Sequence, residues 1–347
     1  MKNREKVWGI CFAGFGNVGQ GLAGILADEE EALRRTGFSF QTVAVVTKTR
    51  GALVDPEGIA LPDLLERVGR GDPVGQDRIG ASEAALLPGV DIVADVTPTN
   101  LEDGGVGLAL TRAALSAGRH VVTSDKGPAS LAMDELRALA RKNRCTYRFE
   151  GTVLSGTPAI NFALEAMAGC SIRSVQGIVN GTTNYILTKM EEGFGYAEAL
   201  AEATKLGYAE ADPRGDVDGW DAAVKAQILA GVVLGASIPL SSVRRTGIAH
   251  ITAKDVNEAA RRRRRIKLVA RAERTDGGVS ASVAPEELPL THPLASVQGV
   301  MNALTYSTDH LDQVTITGPG AGRRETGQAL LSDILAIARG REANHRP

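Results

Sequence analysis

A glycine-rich turn near the N-terminus constrains the fold more than any other feature of the sequence. The apolar run at 7–13 (VWGICFA) leads into this turn, and a helical pattern of apolar residues follows it. The turn has the spacing G-x-G-x-x-G and consists of Gly14, Phe15, Gly16, Asn17, Val18 and Gly19. Between a strand and a helix, this spacing permits a tight turn, close approach of the backbone to a pyrophosphate and close helix–strand packing. The sequence therefore predicts a dinucleotide-binding unit, with the phosphates at the start of the helix.

Short apolar strands and amphipathic helices alternate through the first 146 residues. Strand patterns at 42–46, 91–96 and 120–123 accompany a helical pattern at 107–117. Such alternation is typical of βαβ units, and it predicts an α/β fold with a Rossmann-type, doubly wound parallel sheet.

Beyond residue 146 the pattern changes to strands that follow one another closely. We expect strands at 147–150, 174–180, 266–272, 279–285, 300–308 and 313–317. We expect helices at 157–168, 183–191, 196–205 and 219–234, and a last helix that ends near 339. This mixture predicts a second, α+β domain with a partly antiparallel sheet.

Composition excludes several classes of protein. The 347 residues are 43% apolar and 23% charged, and 39 basic against 41 acidic residues give a net charge of −2. Disordered and fibrous chains have different compositions, and this charge balance gives no reason to expect a nucleic-acid or membrane partner. We therefore interpret the arginine run at 261–265 as a solvated turn or an ion-paired subunit edge. Cys11, Cys145 and Cys170 are widely spaced, which predicts free thiols in a soluble cytoplasmic protein.

The end of the second strand indicates the choice of cofactor. An acidic residue there usually holds the ribose 2′-OH of NAD, whereas a basic residue accommodates the 2′-phosphate of NADP. Lys48 and Arg50 occupy this place, with no acidic residue between Val43 and Leu53. The pattern favours NADP without excluding NAD, and the alternative is that both are solvated loop charges.

The stretch at 203–225 (ATKLGYAEADPRGDVDGWDAAVK) is the most informative for chemistry. Five acidic residues lie close together in it, namely Glu210, Asp212, Asp216, Asp218 and Asp221. A helix capped by Asp218 or Gly219 would place Asp221 and Lys225 on one face. The alternative is an acidic loop with one surface ion pair. Because the helix continues as AQILAGVVLGA, apolar on nearly every side, we expect Lys225 to have a function.

With this stretch the chain resembles the homoserine dehydrogenases. The family pattern A-x-x-x-G, an aromatic or aliphatic residue, a small residue, then D-P-x-x-D, an aliphatic residue and x-G-x-D-x-x-x-K is met here. The matching positions are Ala203, Gly207, Tyr208, Ala209, Asp212, Pro213, Asp216, Val217, Gly219, Asp221 and Lys225. The resemblance also covers DVTPTN at 95–100, TSDKGP at 123–128, FEGTVLSGTP at 149–158, NGTTNYIL at 180–187, HPL at 292–294 and GPGAG at 318–322.

The resemblance implies NAD(P)-dependent interconversion of L-homoserine and L-aspartate 4-semialdehyde. It gives the role of proton donor and acceptor to Lys225, and it places Lys126 at the junction of cofactor and substrate. The substrate carries an ammonium group, for which Glu210, Asp216 and Asp221 supply carboxylates. The resemblance adds Thr97, Lys126, Gly207 and Gly322 to the residues expected to bind the cofactor.

The resemblance also implies the domain organisation and a homodimer. We expect a cofactor-binding domain at 1–146, completed by 318–347, and a substrate-binding and dimerisation domain at 147–317. Some family members carry a C-terminal regulatory module, which we do not expect here because the sequence stops just after the helix that follows GPGAG, and so we expect no feedback control through such a module.

Two further features depend on the resemblance. The stretch at 150–157 is similar to a monovalent-cation loop, in which carbonyls of Val153, Ser155 and Thr157, with Glu150, would bind sodium. A structural turn is the equal alternative. Many relatives have asparagine where this chain has Asp125. A carboxylate there would make Lys126 a better ion-pair partner and a poorer proton donor, unless Asp125 simply caps the turn.

Two other functions stay open on the sequence alone. The first is an NAD(P)-dependent dehydrogenase of another small amino-aldehyde, and the second is a catalytically silent cofactor-binding homologue. A silent homologue has no need to retain Lys225, Glu210, Asp216 and Asp221 together, so these four residues favour an enzyme.

Overall fold

A computed structural model describes residues 6–340 of the chain. The strands are β1 (Val7–Ala13), β2 (Ser39–Val46), β3 (Ala52–Val54), β4 (Ile92–Asp95), β5 (His120–Thr123), β6 (Tyr147–Arg148), β7 (Ile172–Ile178), β8 (Arg244–Arg245), β9 (Arg264–Thr275), β10 (Gly278–Pro289), β11 (Met301–Thr308) and β12 (Gln313–Pro319). The helices are α1 (Asn17–Asp28), α2 (Glu30–Arg35), α3 (Leu61–Gly69), α4 (Ala81–Ala84), α5 (Gly105–Ser116), α6 (Lys126–Lys142), α7 (Ala159–Asn161), α8 (Gly181–Glu191), α9 (Tyr196–Lys205), α10 (Arg214–Val217), α11 (Trp220–Val233), α12 (Ala253–Arg261) and α13 (Arg323–Ala338). Within 6–340, none of these helices combines the length and the apolar character that a membrane span needs.

The chain forms two compact units. The first runs to Gly156 and takes in the chain again from Gly322, and the second covers Thr157–Ala321. These divisions lie ten and four residues beyond the domain boundaries expected from the sequence. The first unit therefore keeps β6 and the turn after it.

The first unit is built on a six-stranded sheet with the order β3-β2-β1-β4-β5-β6. Strands β2, β1, β4, β5 and β6 are parallel, and the short edge strand β3 pairs antiparallel with β2. The predicted doubly wound α/β fold is thus confirmed. The strand expected at 147–150 was assigned to the second domain, and this is wrong, because Tyr147 and Arg148 pair with β5.

The C-terminal helix α13 packs in the core of the first unit. Leu330 and Ile334 join the buried cluster that holds Phe12 of β1 and Leu22 of α1. Helices α1 and α13 approach so closely that a Cβ on Gly327 would lie 2.6 Å from the backbone nitrogen of Leu22. Glycine lets two helix backbones meet without side chains between them.

A buried ion pair fixes α13 to the strand at the sheet's edge. Arg148 Nε lies 2.9 Å from Asp333 Oδ1, and the two side chains are 4% and 1% exposed. The Glu150 N–H donates to Asp333 Oδ2 at 2.9 Å. These bonds explain why the first unit extends past residue 146.

The second unit is built on a six-stranded sheet with the order β12-β11-β7-β9-β10-β8. All neighbours are antiparallel except β10 and β8, which are parallel. This confirms the expected α+β pattern. The arginine run joins α12 to β9, and it is ion-paired, with Arg262 on Glu287 and Arg265 on Glu191.

The helix expected at 157–168 is broken. Only α7 is α-helical there, and a π-helical turn follows at Phe162–Ala166. The Tyr306 hydroxyl donates to the Ala159 carbonyl at 2.7 Å, and its ring lies 5.9 Å from that of Phe162. A side chain inserted at a helix carbonyl is a common cause of such irregularity.

Candidate active site

The glycine turn has the geometry of a pyrophosphate site. Gly14 has φ +99°, and a Cβ there would lie 2.5 Å from the Val96 carbonyl oxygen, so only glycine fits. A Cβ on Gly16 would meet nothing within 4 Å, which leaves open space beside the backbone. No side chain caps the start of α1. Its first N–H groups therefore remain available to a phosphate.

The other residues of the turn have different exposures. Phe15 is buried and its ring packs 5.8 Å from that of Phe12, so it offers only its backbone. Asn17 is exposed and Val18 is half-buried. Gly19 packs against the Gly14 carbonyl so closely that a Cβ added at Gly19 would lie 2.9 Å from the carbonyl oxygen. The turn as a whole fits the phosphates of a dinucleotide.

The structure gives Lys48 and Arg50 different surroundings. The Arg50 guanidinium donates to the carbonyls of Val68 and Asp72 at 3.0 and 2.8 Å, so it braces the chain after β2. Lys48 is exposed at the end of β2. Within residues 6–340 its ammonium has no hydrogen bond or ion pair. Of the two, Lys48 is the better candidate for binding a 2′-phosphate.

Buried carboxylates lie where β4 and β5 end. Asp95 is fully buried and accepts hydrogen bonds from the hydroxyls of Thr97, at 2.7 Å, and Thr123, at 3.0 Å. Thr97 Oγ1 also lies 3.5 Å from Asp125 Oδ2. Burial raises the pKa of Asp95, and burial together with the charge of Asp95 raises the pKa of Asp125 to about 6.

Asp125 caps the helix that Lys126 begins. The Gly127 N–H donates to Asp125 Oδ1 at 2.9 Å, and Lys126 is the first residue of α6. This confirms the interpretation of Asp125 as a cap. Lys126 is half-buried, and its backbone N–H donates to Thr99 Oγ1 at 3.3 Å. The cap sets where the Lys126 side chain leaves the backbone.

Replacing Asp125 with asparagine should stabilise the first unit at neutral pH. The pKa of the Asp125 carboxyl is higher in the native state than in the unfolded chain, so ionisation of this carboxyl destabilises the native state. The stabilisation that the protonated carboxyl gives at low pH is lost as pH rises from 3.8 through about 6. Asparagine keeps the cap oxygen but cannot ionise. We expect Asp125→Asn to raise the free energy of unfolding by about 2–3 kcal/mol at pH 7 and to change it little at pH 4.

The measurement uses Trp220→Phe as the background, so that Trp8 alone reports unfolding of the first unit in urea. The chain has two tryptophans. If the free energy of unfolding varied with pH in the same way with and without the Asp125→Asn substitution, the burial of a titrating carboxylate here would be contradicted.

In the second unit, Lys225 lies in a buried helix as expected. Every residue of α11 from Ala222 to Val233 is buried, and Lys225 is 7% exposed. Its Nζ lies 2.7 Å from Asp221 Oδ2 and donates to the Val179 carbonyl at 2.7 Å. Gly219 precedes the helix at φ +82° as its N-cap. A charge so thoroughly desolvated is costly unless it is paired, so this is not a surface ion pair.

Asn180 joins this group, and the sequence reasoning missed it. Its Nδ2 donates to Asp216 Oδ1 at 2.7 Å and to Asp221 Oδ2 at 3.0 Å. Burial, and then the charge of Asp221, raises the pKa of Asp216, while the bond from Asn180 lowers it. The available signals were its place directly before a helical pattern, which is typical of an N-cap, and at the start of the matching stretch 180–187.

The loop between α9 and α10 carries the rest of the predicted acidic group. Glu210 is exposed on this loop, and within the described part of the chain its carboxylate has no partner. Asp212 pairs with Arg214 instead of facing the site, at 2.5 Å. Gly207 ends α9 at φ +76°, with hydrogen bonds from Gly207 N to Thr204 O and from Tyr208 N to Ala203 O. This is a Schellman motif, which accounts for Gly207 without a ligand.

The segment predicted to bind sodium is irregular in structure. Glu150 is buried, and Ser155 has φ +55° with its hydroxyl 2.7 Å from that of Thr326. In the described range, the carbonyls of Val153 and Ser155 accept no hydrogen bond, so both remain available to a cation. The carbonyl of Thr157, the first residue of the second unit, accepts from the Ala159 N–H at 2.7 Å. Gly322, also expected to bind cofactor, is the N-cap of α13 at φ +146°.

Comparison with known proteins gives one family across both units. Residues 14–150 match the model of the homoserine dehydrogenase NAD-binding domain, and residues 158–335 match the homoserine dehydrogenase model. The NAD(+)-dependent homoserine dehydrogenase of Pseudomonas canavaninivorans is 41% identical over 94% of this chain and 95% of its own. A homoserine dehydrogenase of Methanocaldococcus jannaschii is 37% identical over 94% of this chain and 98% of its own.

Solved structures give the same result. A hyperthermophilic archaeal homoserine dehydrogenase in complex with NADPH has a TM-score of 0.84 and 31% identity, covering 98% of this chain and 100% of that one. A homoserine dehydrogenase from Thiobacillus denitrificans has a TM-score of 0.85 and 30% identity, covering 96% of this chain and 74% of that one.

Proposed function

We propose that Lys225 and its carboxylates carry out the reaction of the family to which this chain belongs, the homoserine dehydrogenases. The chain is an NAD(P)-dependent oxidoreductase that interconverts L-homoserine and L-aspartate 4-semialdehyde. The observation that carries the assignment of roles is the buried contact of Lys225 with Asp221 and the Val179 carbonyl.

The nicotinamide cofactor, when bound, supplies or accepts the hydride. The first unit has the features that would hold it. The Gly14–Gly19 turn and the start of α1 would hold the pyrophosphate, and Lys48 would contact the ribose side. Thr97, just after β4, is a further proposed contact. Lys126 and Gly322 remain proposed contacts. The same unit buries two carboxyl groups, those of Asp95 and Asp125, and burial raises the pKa of both.

One N–H group of Lys225 remains available for a hydrogen bond to the substrate. An ammonium group has three N–H donors, of which one reaches Asp221 and one the Val179 carbonyl. The third is left for the oxygen of the substrate. In the direction of reduction it stabilises the negative charge that develops on the aldehyde oxygen and delivers the proton. In oxidation the proton of the L-homoserine hydroxyl returns to Lys225. Lys126 is the second candidate for this role.

Carboxylates of the second unit recognise the substrate's ammonium group. Asp216 and Asp221 with Lys225 give a local charge of −2 + 1 = −1, which one ammonium group neutralises. Glu210, on the exposed loop, is proposed as a third carboxylate for the ammonium group. A small aldehyde without an amino group cannot satisfy these acids, and this determines the substrate class.

The test is turnover of L-aspartate 4-semialdehyde by the purified protein with NADPH and with NADH, followed by loss of absorbance of the reduced cofactor. We expect turnover with at least one of the two. A folded protein that binds a dinucleotide but turns over neither mixture would contradict the proposed roles.

Lys48 should favour NADPH over NADH. We expect Lys48→Ala to raise the KM for NADPH by about 10-fold, since one charged hydrogen bond to the 2′-phosphate is lost, and to leave the KM for NADH unchanged. Lys142→Ala, at the exposed end of α6, is the matched control. Equal changes for both cofactors would show that Lys48 does not contact the 2′-phosphate.

We also propose that the chain is a cytoplasmic homodimer. Its three free cysteines suit a reducing compartment. Strand β12 lies at the edge of the second sheet, and its Val314 and Ile316 are only half-buried, which suits pairing with a second copy. A monomeric mass by sedimentation at micromolar concentration would contradict the dimer.

Sodium remains a proposed ligand of the segment at 150–157. Carbonyl oxygens are ligands that such hard cations accept. The free carbonyls of Val153 and Ser155 support the proposal, which titration with NaCl against choline chloride tests through thermal stability.

A further inference from the structure

Asn180 uses its whole hydrogen-bonding capacity at one point in the second unit. Its Oδ1 accepts from the Thr183 N–H and the Thr183 hydroxyl, both at 2.9 Å, which caps α8. Its two amide hydrogens go to Asp216 and Asp221, at 2.7 and 3.0 Å. The side chain is 6% exposed. One end of this amide therefore secures a helix while the other joins two carboxylates from different elements.

The amide compensates two like charges held close together. Asp216 follows the start of α10, and Asp221 lies in the first turn of α11. Two neighbouring carboxylates that are partly desolvated disfavour each other's ionised form. A neutral donor shared between them stabilises both as anions and adds no charge of its own. Because the Asn180 hydrogen bond lowers the pKa of Asp216, its loss would raise that pKa further and weaken the pair as a receptor for a cation.

Val179, the residue before Asn180, holds the Lys225 ammonium group of the same cluster in place. The Val179 carbonyl accepts from Lys225 Nζ at 2.7 Å. Two consecutive residues between β7 and α8 thus set the positions of two carboxylates and one ammonium group. The group presents a net charge of −1 and one unoccupied N–H.

We propose that Asn180 is a positioning residue that keeps Asp216 and Asp221 as a paired dianion for the α-ammonium group of the substrate. This inference rests on the proposed function of the second unit. It assigns Asn180 no contact with the reacting atoms. Its effect therefore belongs to the binding of ammonium-bearing substrates and not to the proton transfer itself.

Two substitutions separate this role from helix capping. Asn180→Ser keeps a cap oxygen for the Thr183 N–H but cannot donate to both carboxylates, whereas Asn180→Ala loses both functions. We expect both variants to raise the KM for L-homoserine about 10- to 100-fold, because two charge-assisted hydrogen bonds are lost. We expect kcat to change less than 5-fold, roughly as for loss of uniform binding, and the Kd of NADPH to stay unchanged.

The substrate provides the second readout. For 4-hydroxybutanoate, which lacks only the ammonium group, the variants should match the parent protein in kcat/KM. Restoration of the parent KM by serine, or equal losses with both substrates, would show that Asn180 acts only through folding and would overturn the inference. If the parent protein itself fails to turn over L-homoserine, the proposed function fails first. If the parent turns over and the variants are indistinguishable from it, this inference alone fails.

Discussion

Replacing Lys225 with methionine should lower kcat by roughly 10²–10⁴-fold, the contribution typical of a general acid or base. Methionine fills a similar volume in the buried helix but has no proton to give. Two N–H groups of Lys225 are held by Asp221 and the Val179 carbonyl, so the substitution removes the third, which we propose serves the substrate oxygen. The measurement is kcat for both directions, with the Kd of NADPH as a check that the first unit is intact.

A second buried lysine in the same unit provides the control. Lys267 is fully buried, and burial lowers its pKa to about 8. Its Nζ lies 3.2 Å from Asn184 Oδ1 and 3.5 Å from Glu191 Oε1. Lys267→Met therefore removes a buried ammonium group outside the proposed site. We expect this substitution to lower the free energy of unfolding. We expect kcat to stay within about 3-fold, a change in activation free energy of less than about 1.4 kcal/mol. Similar losses in both variants would mean that Lys225 acts only as structure.

Removing the Asp333 carboxylate should destabilise the first unit by about 3–5 kcal/mol, the usual effect of leaving one partner of a buried ion pair alone. In Asp333→Ala, the Arg148 guanidinium and the Glu150 N–H both lose an acceptor inside the core. Urea unfolding followed by Trp8 fluorescence, again in the Trp220→Phe background, measures the change.

The exposed pair Arg112–Glu135 is the matched comparison. Its side chains are 47% and 51% exposed, although two short hydrogen bonds of 2.7 Å join them. Glu135→Ala should cost at most about 1 kcal/mol, because water screens a surface pair. Equal effects at Asp333 and Glu135 would show that the 148–333 contact does not secure the C-terminal helix.

Local patterns predicted the regular elements well. Strand β5 at 120–123 and helix α9 at 196–205 have the predicted bounds. Both are marked by signals within a few residues, since glycines flank α9 and a short run of β-branched residues forms β5. The dinucleotide turn and the pairing of Asp221 with Lys225 were equally accessible, because each depends on spacing within one segment.

Contacts between distant segments were not accessible in this way. A two-residue strand such as β6 does not reveal which sheet it joins, and its place is set by Asp333, 185 residues from Arg148. Arg50 resembles a phosphate ligand in sequence, yet carbonyls 18 and 22 residues away occupy its guanidinium. Asn180 meets Asp216 and Asp221 across 36 and 41 residues of sequence. Tyr306 interrupts a helix whose local pattern is continuous.

The most direct test of the central claim compares L-homoserine with 4-hydroxybutanoate as substrates for the unmodified protein. Both carry the reacting alcohol and a carboxylate, and only the first carries the ammonium group that Asp216 and Asp221 are placed to bind. A site built for a charged partner rejects an analogue without it by about 10⁴-fold. We predict a preference of this order in kcat/KM for L-homoserine. A preference below about 10-fold, less than 1.4 kcal/mol, would contradict the assignment of the acidic group.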